Sequence, residues 1–311
     1  MNQNTLQIKH LAVIGTGVIG NGWISRFLAQ GYAVTAFDPA ENAEQNTRES
    51  IKHAWSSLEK MGLAKGASPD RLTFVTTIEE AVSNADFIQE NVPEQKDLKK
   101  KVLSDIEQYA KAEAIIGSST SGIVPSDLQE DLKNPERFIV SHPFNPVYIL
   151  PLVEIVGGKM TDPSVVEKAR QFYESIKMKP LIVRKEIEGH IADRLMEALW
   201  REALHLVNDE IATTEEIDSA ITYGAGLRWA LMGPFLTFHL AGGSQGMRHM
   251  LEQFGPTLKL PWTKLEAPEL TNDLKEKIIE GCEDQAGEKT IRDLENKRDD
   301  FLVNLYDLLK L

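Results

Sequence analysis

The sequence predicts an α/β fold, a doubly wound parallel sheet, followed by an all-α domain. Short apolar runs alternate with helical patterns along the first part of the chain, as they do in parallel sheets covered by helices. The glycine-rich segment GTGVIG joins the first apolar run to the first helical pattern. Beyond residue 187 the apolar spacing becomes helical. We therefore predict one domain over residues 1–187 and a helical domain over residues 188–311.

The first strand and helix follow directly from the apolar pattern. HLAVI is a short apolar run that ends at the glycines, and AVTAFD is a second run that ends in Asp38. The helix between them closes at Gly31, a common residue just past a helix end. Its predicted buried face holds Ile19, Trp23, Phe27 and Leu28.

The same alternation continues to the end of the first domain. Residues 42–65 have a helical pattern. Further strands are predicted in LTFVTT, ADFIQENV, EAIIGSSTSG, RFIVSH, PLVEIVGG and KPLIVRKEI. In the second domain, Thr213 and Glu216 form a capping-box pattern at a helix start. The last helix has Phe301, Leu302, Leu305 and Leu308 or Leu309 on one side, which indicates either a packed terminal helix or a dimer contact.

Composition excludes several classes of partner. The chain has 311 residues and a formal net charge of -13, which argues against binding to nucleic acid or anionic membranes. No apolar run is long enough to span a bilayer, and no signal-peptide pattern is present. The one cysteine has no intrachain partner and no metal-ligating cluster around it. We therefore expect a cytoplasmic protein with no metal and a small-molecule substrate.

The segment GTGVIG has the G-x-G-x-x-G pattern of a dinucleotide site, and it lies between a strand and a helix as that site requires. Gly15 permits the tight turn, Gly17 the approach of a pyrophosphate, and Gly20 the close packing of helix on strand. An acid about 20 residues further on, here Asp38, can accept the ribose hydroxyls and repel a 2′-phosphate. NAD is therefore the expected cofactor. The alternatives are FAD and a glycine turn with a structural role only. The remaining residues of the predicted cofactor loop are Thr16, Val18 and Ile19.

A histidine and a glutamate suggest acid–base chemistry. His142 ends a predicted strand, at the sheet edge where open α/β sheets bind ligands. Glu154 lies inside an apolar run, so it needs a partner if that strand is buried. If the two strands are neighbours, Glu154 can orient the His142 imidazole as a general base. The alternatives are a surface histidine and a solvated edge glutamate. The hydroxyls of GSSTSG are either substrate ligands or a polar turn.

Five segments together resemble the 3-hydroxyacyl-CoA dehydrogenase family over nearly the whole chain: VIGTGVIG with FD, QENVPEQKDLKKKV, SSTSG, HPFNPVYILPLVEIV and GAGLRWALMGPF. The resemblance implies an N-terminal Rossmann domain, a helical C-terminal domain that forms a homodimer, and a cleft between them. It also implies that His142 is the catalytic base, Glu154 its partner, and Ser121 a ligand of the substrate oxygen. Asn145 would position substrate and nicotinamide, and Glu94 and Lys99 would contact the cofactor.

Departures from the family pattern argue against an acyl-CoA substrate. Glu188, His190 and Asp193 replace the proline, phenylalanine and asparagine of the fatty-acyl enzymes. The chain is more similar to the branch that acts on L-gulonate and L-carnitine, and most similar to the carnitine-oxidising members. A quaternary ammonium is held by aromatic faces and carboxylates, with each cation–π contact contributing roughly 0.5–2 kcal/mol. Candidate substrate residues are Phe144, Tyr148, Glu188, Asp193, Arg228 (for the substrate carboxylate), Trp229 and Phe235, with Phe238 and Trp262 as further aromatics.

Three alternatives stay open. Within the same chemistry, the substrate is L-gulonate or a short 3-hydroxyacyl-CoA. In a different class, the protein is a non-catalytic, crystallin-like NAD-binding protein. Each candidate aromatic residue is also explained by ordinary core packing.

Overall fold

The computed structural model describes residues 8–264, 269 and 271–309. The described chain forms two compact units. The first runs to Asp193 and also includes Asp299–Leu308. The second comprises Arg194–Arg298, with Leu309. The unit boundary lies within the first turn of a helix, a few residues after the predicted domain boundary at residue 187.

A sheet of eight strands forms the centre of the first unit, with the order β3-β2-β1-β4-β5-β6-β7-β8. The strands are β1 His10–Ile14, β2 Ala33–Phe37, β3 Leu72–Val75, β4 Phe87–Glu90, β5 Ile115–Ser118, β6 Phe138–Pro143, β7 Leu152–Gly157 and β8 Lys179–Val183. This order is that of a doubly wound, Rossmann-type sheet, and it confirms the predicted fold class.

One pair of strands departs from the predicted parallel sheet. β6 and β7 pair antiparallel, whereas the other neighbouring strands pair parallel. The connection between them, residues 144–151, contains no helix. A parallel pair needs a crossover of a dozen or more residues, so this short connection favours antiparallel pairing.

Helices cover both faces of the sheet. They are α1 Val18–Ala29, α2 Ala43–Met61, α3 Ile78–Val82, α4 Lys96–Tyr109, α5 Pro125–Gln129 and α6 Pro163–Ser175. Alternate residues of β1 enter two separate cores, as the pleat requires. Val13 packs in the cluster that includes Trp23 of α1, and Ile14 in the cluster that includes Leu103 of α4. The sheet therefore has a buried apolar layer on each side, and its strand ends remain available for ligands.

The second unit consists of helices, which confirms the predicted all-α part. The helices are α7 Ala192–Asn208, which begins in the first unit, α8 Thr214–Ala220, α9 Gly226–Trp229, α10 Pro234–Ala241, α11 Met247–Phe254 and α12 Asn272–Ala286, followed by α13 Ile291–Leu309, part of which belongs to the first unit. The predicted capping box is present, because Thr213 and Glu216 each accept from the other's backbone N–H. On α13, Phe301 and Leu308 are exposed.

Within the described residues, no helix combines the length and the apolar character that a membrane crossing requires. The same residues contain no group of three or more His, Cys, Asp or Glu side chains placed to hold a metal ion.

Candidate active site

The glycine-rich loop between β1 and α1 has the geometry of a phosphate cradle. Gly15 has φ +88°, and a Cβ there would lie 2.8 Å from the carbonyl of Asn91. A Cβ on Gly20 would lie 2.0 Å from the Gly15 oxygen, whereas a Cβ on Gly17 would meet nothing within 4 Å. The backbone is thus closely packed at Gly15 and Gly20 but open at Gly17, where α1 begins. This open N-terminus fits the pyrophosphate of a dinucleotide.

Asp38 follows β2 and is held beside that loop. Its Oδ2 accepts from the Thr16 N–H at 2.7 Å, and its Oδ1 accepts from the Ala40 N–H at 2.9 Å. These bonds fix the carboxylate next to the glycine loop, where it fits the diol of a ribose. Of the other loop residues, Thr16 is buried, Ile19 is half-buried and Val18 is 71% exposed.

Lys99 and Glu94 lie at the carboxyl end of β4 and β5, and both have protein partners. The Lys99 Nζ is buried and contacts Glu90 Oε1 at 2.9 Å, the Val92 carbonyl at 2.9 Å and Glu94 Oε2 at 3.6 Å. Glu94 Oε1 accepts from the N–H groups of Ser121 and Gly122 at 3.1 and 3.0 Å.

The Glu94 contacts determine its ionisation. Burial alone would raise the pKa of the Glu94 carboxyl. The hydrogen bonds from Thr120, Gly122 and Ser121, with the charge of Lys99, outweigh that effect and lower the pKa. Glu94 therefore holds the loop after β5 as an anion. The cofactor contacts that the resemblance implies for Glu94 and Lys99 remain predictions.

His142 and Glu154 face each other across the antiparallel pair. They are register partners of β6 and β7, and His142 Nδ1 lies 3.0 Å from Glu154 Oε2. Glu154 is fully buried, and its Oε1 accepts from the N–H groups of Ile191 and Ala192 at 2.9 and 3.0 Å. Backbone N–H groups at the N-terminus of α7 thus donate to the second carboxylate oxygen, at the positive end of the helix dipole.

These contacts keep Glu154 charged. Burial raises the pKa of the Glu154 carboxyl, but the hydrogen bonds from His142, Ala192 and Ile191 outweigh burial, so the net shift is downward. An ionised Glu154 accepts a hydrogen bond from the Nδ1–H of His142, so the free lone pair of the imidazole is on Nε2. This arrangement suits a general base that acts through Nε2.

Three further side chains surround the His142 ring. Asp193 Oδ2 lies 3.6 Å from His142 Nε2. Phe144 meets the ring edge-on and His190 meets it at a tilt, each with a centroid separation of 5.3 Å. Asp193 and Phe144 were predicted from the sequence as substrate residues, whereas His190 was identified only as a departure from the family pattern. Its position after Gly189, before an amphipathic helix, gave no local sign of burial.

The remaining candidate residues lie elsewhere in the two units. Ser121, Asn145 and Glu188 are exposed, the first two in the loops that follow the adjacent parallel strands β5 and β6. Tyr148 packs beside Ala29, Ala54 and Leu58 and donates its hydroxyl to Asp299, so ordinary packing accounts for its position. The second unit carries Arg228, Trp229, Phe235, Phe238 and Trp262 as exposed residues. Their contact with a substrate remains a prediction.

Family models match both parts of the chain. Residues 10–187 match the 3-hydroxyacyl-CoA dehydrogenase NAD binding domain, and residues 189–281 match the 3-hydroxyacyl-CoA dehydrogenase C-terminal domain.

Similar proteins extend over almost the full length. An L-carnitine dehydrogenase of Bacillus cereus is 65% identical over 99% of this chain and 95% of its own. An L-carnitine dehydrogenase of Pseudomonas putida is 59% identical over 98% of this chain and 95% of its own. Among solved structures, FHMPC 5-dehydrogenase, an NAD+-dependent dismutase, has a TM-score of 0.82 at 27% identity, covering 98% of this chain and 99% of that one. The (S)-3-hydroxybutyryl-CoA dehydrogenase of Ralstonia eutropha has a TM-score of 0.64 at 26% identity, covering 79% and 85%.

Proposed function

This chain belongs to the 3-hydroxyacyl-CoA dehydrogenase family, and on that premise we propose that it oxidises the 3-hydroxyl of L-carnitine to 3-dehydrocarnitine. It is an NAD-dependent 3-hydroxy dehydrogenase. The observation that carries the choice of L-carnitine is the full-length similarity to curated L-carnitine dehydrogenases. The geometry at His142 supports the chemistry of the proposal.

Bound NAD supplies the acceptor for the hydride that leaves the carbinol carbon. Gly15, Gly17 and Gly20 would hold its pyrophosphate at the start of α1, with Thr16, Val18 and Ile19 completing the loop. Asp38 would accept from the ribose hydroxyls, which disfavours a 2′-phosphate at that place.

His142 takes the hydroxyl proton at Nε2. Its Nδ1 is held by Glu154, so the imidazolium formed in the reaction lies between two carboxylates, Glu154 at 3.0 Å and Asp193 at 3.6 Å. Both anions stabilise that charge as it develops. Ser121 and Asn145, from the loops after β5 and β6, would contact the substrate oxygen and set the carbinol against the nicotinamide.

Asp193 also suits a cationic substrate. In L-carnitine the carbon that carries the trimethylammonium group is bonded to the carbinol carbon. A carboxylate within 3.6 Å of the base nitrogen is therefore near both the reacting oxygen and the cation. Phe144, in ring contact with His142, adds an aromatic face for that cation. Glu188, Trp229 and Phe235 are the further candidates for the cation, and Arg228 for the substrate carboxylate.

Side-by-side turnover tests the substrate. NADH formation is measured with L-carnitine, L-gulonate and 3-hydroxybutyryl-CoA at equal enzyme concentration. We expect kcat/KM to be highest for L-carnitine, and the proposal is wrong if L-carnitine is the poorest of the three. His142→Ala is the control for catalysis. If wild type and His142→Ala both bind NAD and neither turns over any of the three, the non-catalytic alternative holds.

We also propose a homodimer formed by the second unit, in the cytoplasm. Trp200, Tyr223 and Leu227 of that unit are 51%, 82% and 63% exposed, which leaves a large apolar area for a second copy to cover. The chain has one cysteine and so forms no intrachain disulfide, as is usual in a reducing compartment. Sedimentation equilibrium of the full chain tests the dimer, and a monomer at micromolar concentration would contradict it.

A further inference from the structure

The turn that leads into α7 brings a second histidine against the ring of His142. Gly189 and His190 both have a left-handed backbone, with φ 70° and 47°. That conformation is uncommon for a residue with a Cβ, and it clusters at functional sites. Here it carries the His190 imidazole into the interior, where it is 0% exposed and 5.3 Å from the His142 ring centroid.

The hydrogen bond of His190 determines its tautomer. His190 Nε2 lies 3.2 Å from the carbonyl oxygen of Thr120, and because a carbonyl only accepts, Nε2 carries the hydrogen. His190 Nδ1 is buried and has no hydrogen-bond partner among the described residues. Burial lowers the pKa of the His190 imidazole more than the bond to Thr120 raises it, which favours the neutral ring. His190 is therefore a neutral Nε2–H donor.

The bond to Thr120 acts on the loop that carries Ser121. That loop is anchored on one side by Glu94, whose Oε1 accepts from Ser121 N, Gly122 N and the Thr120 hydroxyl. His190 anchors it on another side, through the Thr120 carbonyl, and at the same time packs on His142. One imidazole thus contacts both the base and the residue next to Ser121.

We propose that His190 is a positioning residue, whose Nε2–H holds the Thr120 carbonyl and so sets Ser121 against the oxygen from which His142 takes the proton. This inference rests on the proposed function, because the role of Ser121 is part of it. Loss of the donor leaves both His142 and Ser121 in the protein but misplaces one relative to the other. Such a change lowers kcat more than it raises KM, since alignment matters most in the transition state.

Two amide substitutions separate the donor from the bulk of the ring. The side-chain amide of Gln reaches the position of Nε2, and that of Asn reaches only the position of Nδ1. We expect His190→Gln to retain kcat within about threefold and His190→Asn to lose about tenfold, the effect of one positioning hydrogen bond. Equal losses in the two variants would overturn the proposal. Urea unfolding of both variants checks that they are folded.

A double-mutant cycle tests whether the effect passes through Ser121. His190→Asn is measured in the wild type and in Ser121→Ala. If His190 acts by positioning Ser121, its substitution costs about tenfold in the wild type and less than about twofold in Ser121→Ala, because coupled residues are not additive. Additive losses would show that His190 supports the fold in general, and the proposal would be wrong.

The double-mutant cycle is run with whichever of the three alcohols turns over fastest, so a wrong choice of substrate leaves it interpretable.

A measurement that does not depend on turnover completes the test. In the NMR spectrum of histidine-labelled protein, with His190→Gln used for assignment, the His190 ring should show Nε2–H and a bare Nδ1. A ring protonated at Nδ1 would overturn the proposal even if none of the alcohols reacts.

Discussion

The Glu154 carboxylate shows at the scale of single residues why an acid is retained in a buried strand. An unpaired carboxylate in the interior costs several kcal/mol, and so it is normally protonated or excluded. Here one oxygen contacts the His142 ring and the other accepts two backbone N–H groups. Those donors keep the pKa of Glu154 below its usual value despite burial. The residue is stable as an anion only as part of this constellation.

Glu154→Gln tests the charge of that residue at constant size. We expect kcat to fall by about 10²- to 10⁴-fold, because the neutral amide neither stabilises the His142 imidazolium nor fixes the tautomer. The measurement is NADH formation at saturating NAD and L-carnitine. Glu167→Gln, at an exposed position on α6, is the matched control and should keep wild-type kcat. Retention of kcat within threefold by Glu154→Gln would contradict the assigned role.

Asp193→Asn tests the carboxylate on the other side of the ring. Because the substitution removes a charge next to a cationic substrate, we expect kcat/KM for L-carnitine to fall about tenfold. The value for 3-hydroxybutyrate, which has no cation, should fall less. The ratio of the two kcat/KM values is the measurement, and an unchanged ratio would show that Asp193 does not recognise the cation.

At the scale of elements, one short connection decides the geometry of the site. Residues 144–151 return the chain antiparallel to β6, and the register then places Glu154 opposite His142. A shift of one residue would turn the glutamate to the other face of the sheet. The start of α7 completes the arrangement by directing its first N–H groups at the same carboxylate.

The glycine loop before α1 allows a matched pair of substitutions. Gly20→Ala places a Cβ 2.0 Å from the Gly15 oxygen, so helix and strand must separate. We expect it to lower the free energy of unfolding by about 1–3 kcal/mol, the usual cost of overpacking. Gly17→Ala meets nothing within 4 Å, so it should fold normally. Its methyl group lies where the pyrophosphate approaches, so NAD affinity should fall about tenfold or more.

Urea unfolding measures the free energy of unfolding, and titration of the protein's intrinsic fluorescence with NAD measures NAD affinity. Equal stability of Gly17→Ala and Gly20→Ala would contradict the packing role of Gly20. Unchanged NAD affinity in Gly17→Ala would contradict the placement of the pyrophosphate at α1.

At the scale of the whole molecule, the chain combines a sheet-based unit with a helical unit and a net charge of -13. The first unit contains several ionisable groups whose pKa values depart from their ordinary values. Glu94 and Glu154 have lowered carboxyl pKa values, and His190 has a lowered imidazole pKa. The free energy of unfolding of this protein therefore depends on pH below neutrality.

Acid should destabilise the protein in two stages. The lowered pKa of His190 means that the unfolded state binds its proton first, so stability present above pH 6.5 is lost as pH falls through the folded pKa. The lowered pKa values of Glu94 and Glu154 act in the same direction below pH 4.5. Urea unfolding between pH 7 and pH 3 measures both stages, and the loss of stability below pH 4.5 should be smaller in Glu154→Gln. A stability that rises towards acid would contradict the assignment.

The sequence by itself determined the dinucleotide-binding unit, because a strand, a glycine turn, a helix and an acid follow one another locally along the chain. The α/β alternation and the capping box of α8 were predictable for the same reason. The apolar pattern did not predict the direction of β7, because a buried parallel strand and a buried antiparallel strand have the same pattern.

Only the tertiary structure decided which groups surround His142. Thr120 and His190 are separated by 70 positions, and Glu154 and Ile191 by 37, so no local spacing relates them. The pairing of β6 with β7, and the packing of the turn before α7 against these two strands, brings these groups together. A buried polar constellation depends on contacts between distant segments, and for that reason its members, His190 above all, are recognised from the folded chain.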